Sequence, residues 1–202
     1  MTLDSMFIEL TDHLRCPADH DEAFLVLIPN ELRDRQVVSG HLGCPVCERS
    51  YPIENGVAIF GRMGPEATAP AADAVTADAL HAFLGLEGPG GYVLLVGDAG
   101  RHAEALSSLL PGVHLVCLNS PEGLADSLVL SRLVAPSIPL KARSVRGVIL
   151  GGDARQTGWQ SEAARVVLPG LRVVGQGELK PGVGLELLAS GGGWWVARAV
   201  KP

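Results

Sequence analysis

The stretch Tyr92-Val-Leu-Leu-Val-Gly-Asp-Ala-Gly-Arg101 constrains the fold more than any other part of the chain. Five apolar or aromatic residues in a row are closed by Gly97 and Gly100, and Ala103, Leu106, Leu109 and Leu110 then recur at helical spacing. A buried parallel strand turning tightly into a helix has this pattern. The unit is predicted to recur, with strands over 113–118, 145–150 and 171–175 and helices over 121–133 and 161–168. Pro121 suits a first helical turn, where its missing N–H costs nothing. Segments 183–189 and 194–200, joined by Ser190-Gly-Gly-Gly193, read as a closing antiparallel hairpin. The expected class is α/β, a mostly parallel, doubly wound sheet with a C-terminal antiparallel pair. In such sheets a nucleotide-like ligand lies across the carboxyl end of the first strand, facing backbone N–H groups and a helix N-terminus.

A chain of 202 residues, 47% of them hydrophobic, can hold one ordinary domain and a small one. The formal net charge of −6 argues against a general nucleic-acid binder, though local basic patches are compatible with it. The N-terminus lacks the basic start and apolar run of a signal peptide, and no window approaches 18 uninterrupted apolar residues. These features predict a soluble cytoplasmic protein without membrane contact. Residues 1–60 read as a β-rich module: an apolar-periodic segment over 7–14, a strand over 23–28, shorter candidates over 36–39 and 41–43, a turn at Glu54-Asn-Gly56, and a closing strand over 57–60. Residues 61–72 hold two glycines, two prolines and four alanines and read as a linker. The second domain, 73–202, is expected to open with an amphipathic helix over 73–86 capped near Asp73.

Cys44-Pro-Val-Cys47 is a C-x-x-C knuckle, a spacing that lets two thiolates and the following N–H groups wrap one tetrahedral ion. Cys16 lies upstream and is also followed by proline; the position of a second knuckle cysteine is Asp19. The candidate metal set is therefore Cys16, Asp19, Cys44 and Cys47, with His20 or His41 as substitutes for the fourth ligand. A metal-free ribbon held by packing and a redox role for Cys44 and Cys47 are the other readings of these residues. Leu14-Arg-Cys-Pro17, Leu42-Gly-Cys-Pro-Val-Cys47 and Tyr51-Pro-Ile-Glu-Asn-Gly-Val-Ala-Ile-Phe60 resemble the small zinc-ribbon family whose eukaryotic and archaeal members activate RNA and protein methyltransferases. Short bacterial relatives share the same "YPI-x-x-G" ending. The resemblance implies a zinc-binding module that works through a protein partner.

Residues from about 73 onward resemble a class I S-adenosylmethionine-dependent methyltransferase, a Rossmann-like domain. The resemblance is carried by the first strand and its glycine turn, by Val113-His-Leu-Val-Cys-Leu-Asn119, by the stretch from Ile138 to Leu150, and by Ala164-Arg-Val-Val-Leu-Pro-Gly-Leu-Arg-Val-Val174. It implies that Gly97, Asp98, Gly100 and Asn119 hold the cofactor. The departures fall at these same places. The glycine turn has its middle glycine replaced or is one residue short, the ribose-gripping acid is Asn119, the fourth-strand aspartate is Arg146, and Gly151-Gly-Asp-Ala-Arg155 offers no acid–base pair. Helices after the third and fifth strands are missing or reduced. The expected function is a non-catalytic, methyltransferase-like binding or regulatory protein acting through a protein partner or self-association. The alternative is an active S-adenosylmethionine-dependent methyltransferase on RNA or a small molecule.

Arg132, Lys141, Arg143 and Arg146 fall in a stretch, 127–152, without an acidic residue. They read either as an anion-facing patch at the carboxyl edge of the sheet or as ordinary solvated charges. Trp194 and Trp195 should point to opposite faces, one into the core and one towards the linker or a partner, and Cys117 should be a buried filler. Asp98 and Asp153 are the carboxylates expected at the top of the sheet.

Overall fold

The computed structural model describes residues 5–61, 75–121, 123–124, 127–154 and 157–200. The chain runs β1 (Met6–Phe7), a 3-10 segment (Ile8–His13), β2 (Val26–Arg33), β3 (Gln36–Gly43), β4 (Ser50–Glu54) and β5 (Val57–Ile59). It continues as α1 (Ala77–Leu84), β6 (Tyr92–Val96), a 3-10 turn (Gly97–His102), α2 (Ala103–Leu109), β7 (His114–Leu118), β8 (Leu130–Val134) and β9 (Val145–Leu150). It ends with α3 (Thr157–Val166), β10 (Val167–Gln176), β11 (Leu185–Gly191) and β12 (Trp194–Ala199).

The second half has the expected α/β class. Neighbouring strands run β8-β7-β6-β9-β10, all parallel, with β12 antiparallel to β10 and β11 antiparallel to β12. In order of appearance this is third, second, first, fourth, fifth, the doubly wound order, with its switch point between β6 and β9. Local chemistry fixes the ends. Thr76 caps α1 by accepting from the Ala79 amide at 3.2 Å, and Gly85 ends it in the left-handed region. Asp73, the expected cap, lies outside the described residues. Asn55 and Gly56 both have positive φ, as a tight hairpin turn requires, and β4 and β5 pair across them.

Two sheets do not form. The ribbon strands and the α/β strands are one sheet, because β5 pairs parallel with β8 in the register Val57–Arg132, Ala58–Leu133, Ile59–Val134. The closing strand of the N-terminal module thus becomes the sixth parallel strand of its own chain. The helix predicted over 121–133 is corrected: Leu130 to Val134 are strand, and the described residues before them carry no helix. The candidates over 36–39 and 41–43 are one continuous strand, and the strand expected over 23–28 begins at Val26.

Side chains alternate across the sheet. Val93 and Leu95 face α1 and α2, in a core with Leu80, Leu84, Leu106 and Trp194. Tyr92, Leu94 and Val96 face the other way, into a core shared with α3 and with Met6, Leu10, Leu14, Leu42 and Ile53 of the first sixty residues. On this face α3 is the one helix of the described residues. The ribbon covers the area that crossover helices cover in a doubly wound sheet, which accounts for their loss after β8 and β10. Both tryptophans are buried, Trp194 in one core and Trp195 in the other, so neither is left for a partner. Cys117 is buried as expected.

Candidate metal centre and the carboxyl edge of the sheet

The cysteines are brought together by short backbone turns. The Cys16 amide donates to Ala23 O, which folds the segment back on itself. Cys44 follows β3; its amide donates to Arg49 O, and Glu48, at φ 59°, donates back to Cys44 O. Cys16, His20, Cys44 and Cys47 each point one ligand atom inward, all within 4.8 Å of one another. Cys16 Sγ lies 3.7 Å from Cys47 Sγ, and Cys44 Sγ lies 3.5 Å from His20 Nε2. A tetrahedral zinc ion with Zn–S of about 2.3 Å and Zn–N of about 2.0–2.1 Å sets S–S edges near ~3.8 Å and S–N edges near ~3.5 Å. The donor set and its spacing therefore fit zinc.

His20, not Asp19, stands with the three cysteines. The His20 amide donates to Ala18 O at 3.0 Å, and this three-residue turn carries Asp19 outward, where it is exposed. His41 is exposed on β3. His20 Nδ1 lies 2.6 Å from Asp21 O; an Nδ1–H donating there leaves the Nε2 lone pair facing the thiols. Burial opposes ionisation of Cys44, but the Cys47 and Val46 amides, with the thiols of Cys47 and Cys16, outweigh it and bring the group down to about 6. Tyr51 lies behind the centre. Its hydroxyl is 3.2 Å from Cys16 Sγ, its ring is 5.0 Å from that of Phe60, and the Phe60 amide donates to Val134 O at 2.7 Å. The cysteine–histidine cluster is thus linked by contact to the end of β8.

A second set of bonds fastens the ribbon to the α/β half. Ser131 Oγ accepts from the Phe7 amide at 3.0 Å, Arg15 N donates to Pro139 O, and Lys141 N donates to His13 O. Arg165 grips Glu162 at 2.7 Å and donates to the carbonyls of Ile138 and Leu140, with Arg15 and Glu22 of the ribbon completing the charge cluster. Sequence reasoning missed this clasp, since its bonds between the ribbon and the α/β half join residues more than a hundred positions apart.

At the carboxyl edge, the residues expected to hold a cofactor lie near one another but face their own chain. Gly97 is buried at φ 61°. Asp98 pairs with Arg101 at 2.9 Å. A Cβ on Gly100 would stand 2.5 Å from Ser120 Cβ, so the loop after β7 presses onto the turn. Asn119 spends both ends of its amide on Ala135: Nδ2 donates to its carbonyl at 2.7 Å and Oδ1 accepts from its N–H at 2.9 Å. On the other side Gly151 donates to Val96 O at 3.0 Å. A Cβ there would lie 2.6 Å from the Ala99 nitrogen and 2.9 Å from that of Asp98. The backbone after β9 thus runs close to the Asp98 and Ala99 nitrogens of this turn. The Asp153 side chain lies outside what the structure describes.

Arg146, the counterpart of the fourth-strand aspartate, is at the opposite edge of the sheet, bonded to the carbonyls of Glu87, Gly88, Pro89 and Gly90. Lys141 and Arg143 precede the start of β9, so they too lie at the amino edge, contrary to the carboxyl-edge patch expected from sequence. Arg132 lies within β8.

A family model described as Trm112p-like protein matches residues 8–56. No curated protein matches the chain. Among solved structures, a chain from the complex between the Haloferax volcanii Trm112 methyltransferase activator and a protein named as a methyltransferase is 26% identical, with a TM-score of 0.43 over 50% of each chain. The geranyl diphosphate C-methyltransferase of Streptomyces coelicolor is 17% identical, TM-score 0.42, over 49% of this chain and 41% of its own. The antibiotic-resistance methyltransferase Kmr is 14% identical, TM-score 0.45, over 65% of this chain and 96% of its own. The chain thus spans about half the length of the first of these and less of the second. No helix of the described residues is long and apolar enough to cross a membrane. Residues 8–56 match the Trm112p-like model, and the strand that follows them, β5, is hydrogen-bonded into the α/β sheet of the same chain.

Proposed function

We propose that this is a non-catalytic, methyltransferase-like binding or regulatory protein whose activator-like ribbon is docked on its own sheet. The observation that carries the reading is the packing of Gly151 on the Asp98 and Ala99 amides. Close approach there supports a turn with little room for a cofactor, and the commitment of Asn119 to Ala135 supports the same reading. The ribbon match and the pairing of β5 with β8 support an arrangement in which activator-like and methyltransferase-like parts are held in one chain.

Zinc is proposed as a structural ion of the ribbon, held by Cys16, His20, Cys44 and Cys47, where it would tie the segment after the 3-10 turn to the end of β3. No step of chemistry is assigned to it. The protein partner, or a second copy, is reached by surfaces other than the strand already paired in the chain.

Calorimetric titration with S-adenosylmethionine, and separately with S-adenosylhomocysteine, at two temperatures tests the reading. The expected result is no heat up to millimolar ligand. Micromolar binding, about −8 kcal/mol, would overturn it and restore the active-enzyme alternative.

A further inference from the structure

The parallel strands β6, β7 and β9 have a core on each face, but the ribbon strands that continue the sheet have one on a single face. Register shows which side chains share the other face. Ile53 and Ala58 are paired and lie in the ribbon core, so their strand neighbours Pro52 and Ile59 point the opposite way. Pro52 is level with His41 and His41 with Ile28, while Ile59 is level with Val134. Val26 and Val57 flank this row on the same face. Among the described residues, none of these six apolar side chains belongs to either core, and Val26 and Ile28 are 54% and 56% exposed. The layer of α1 and α2 on that side covers Val93, Leu95 and Leu115 and reaches Leu130 at the start of β8. Arg132 then donates to Leu124 O at 2.5 Å, and past it the row from Val134 to Ile28 lies outside that core.

Charge, thickness, area and edges decide what can cover this face. The row holds no lysine, arginine or carboxylate, so it suits an apolar protein surface and not a nucleic acid. Stacked sheets lie about 10 Å apart, close to the about 10 Å diameter of a helix, so a second sheet laid on the row stands level with the α1–α2 layer. Strands β2, β3, β4, β5 and β8, at about 4.8 Å spacing and about 3.3 Å per residue, offer roughly 450 Å² before side-chain relief is counted. A standard interface takes about 800 Å² from each partner, which puts this face at the weak, reversible end for a dimer. The neighbouring edge is closed to strand addition: β2 carries Pro29 and register irregularities at Pro29/Glu31 and Glu31/Leu32.

We infer that this face binds a second copy of the chain, sheet upon sheet. A two-fold axis running along β3 and β4 lays β2 and β3 of one protomer over β5 and β4 of the other, with Ile28 above Ile59 of the partner subunit and the reverse contact repeated by symmetry. The edge strand β2 of each protomer then abuts the step at Leu124 of the other, and the two helical layers stay on opposite sides of the axis. The inference rests on the self-association in the proposed function and gives it a surface. A monomeric chain that gives no heat with S-adenosylmethionine removes the surface and leaves the non-catalytic reading. A dimer that binds the cofactor does the reverse.

The test is sedimentation equilibrium of the full chain from about 1 to 300 μM, where a dimer with a dissociation constant of order 10 μM is expected. Ile28→Lys, at an exposed position that spares the fold, should weaken it by about tenfold or more, because each protomer then sets an ammonium against an apolar row. Ile59→Glu should do the same, with its thermal transition recorded to confirm folding. An equimolar mixture of the two variants should associate about tenfold more tightly than either alone, since the introduced charges face each other only in the mixed dimer. Leu187→Lys, 51% exposed on β11 at the far edge of the sheet, should leave the dimer unchanged. A monomer throughout the range, a dimer indifferent to Ile28→Lys, or a mixture no tighter than its parts overturns the inference.

Discussion

His114 and Ser131 face each other across β7 and β8, with Nε2 and Oγ 2.8 Å apart, and the same hydroxyl accepts the Phe7 amide of the ribbon. One buried imidazole therefore helps hold the joint between the two halves. Burial lowers its pKa to about 4 from the ordinary 6.5. Below pH 6.5 the unfolded chain takes up a proton that the folded chain refuses until about 4. The unfolded state then binds more protons, so stability is full above 6.5, falls with pH across this window and levels off below it. The expected loss is about 3 kcal/mol between the two limits. Urea unfolding from pH 7.5 to 4.5 should show this slope in the native sequence and a flatter one in His114→Asn; parallel slopes would remove His114 from the joint.

The ligand set makes a paired prediction. His20→Ala should weaken zinc by two orders of magnitude or more, as loss of one of four ligands from a preformed group demands, whereas Asp19→Ala should leave it unchanged. Competition with a chromophoric chelator, monitored together with the thermal transition, reads both affinity and fold. Equal effects of the two substitutions would return the fourth position to Asp19.

Gly151→Ala offers a test of the closed carboxyl edge that needs no ligand. The added methyl would stand 2.6 Å from the Ala99 nitrogen, a backbone atom that cannot step aside alone. The turn after β6 must shift, at a cost of about 1–3 kcal/mol in denaturant unfolding. A neutral substitution would mean that the loop after β9 is looser than its packing here, and that the edge can open.

The parts of this fold that a sequence shows are those decided locally. Tyr92 to Gly97, Glu54 to Gly56 and the terminal hairpin carry their turn chemistry and periodicity with them. Leu128-Val-Leu-Ser-Arg-Leu-Val134 does not, because its apolar spacing suits either a helix or a buried strand. What decides it is a slot between β7 and β5, and one wall of that slot comes from residue 57 onward. The cysteines announced a cluster and His20 stood among its candidate fourth members, but that His20 rather than Asp19 or His41 joins them turns on one backbone hydrogen bond that a knuckle spacing does not encode. Of the Arg15, Glu22, Glu162 and Arg165 cluster only the Glu162–Arg165 pair, three residues apart on a helix, is local; its joining to Arg15 and Glu22 has no local signal. Lys141 and Arg143 were legible as charge but not as position, since their edge of the sheet depends on where β9 begins.

The pairing of Ala58 with Leu133 has a kinetic and stoichiometric consequence. Two separate chains joined by such a strand would part on dilution, and the fraction joined would follow how much of each the cell makes. Within a single chain the encounter is first order and does not depend on the protein's concentration. Dilution leaves it intact, the ratio of the two parts is fixed at one to one by translation, and no competitor can exchange with the strand unless the molecule first opens.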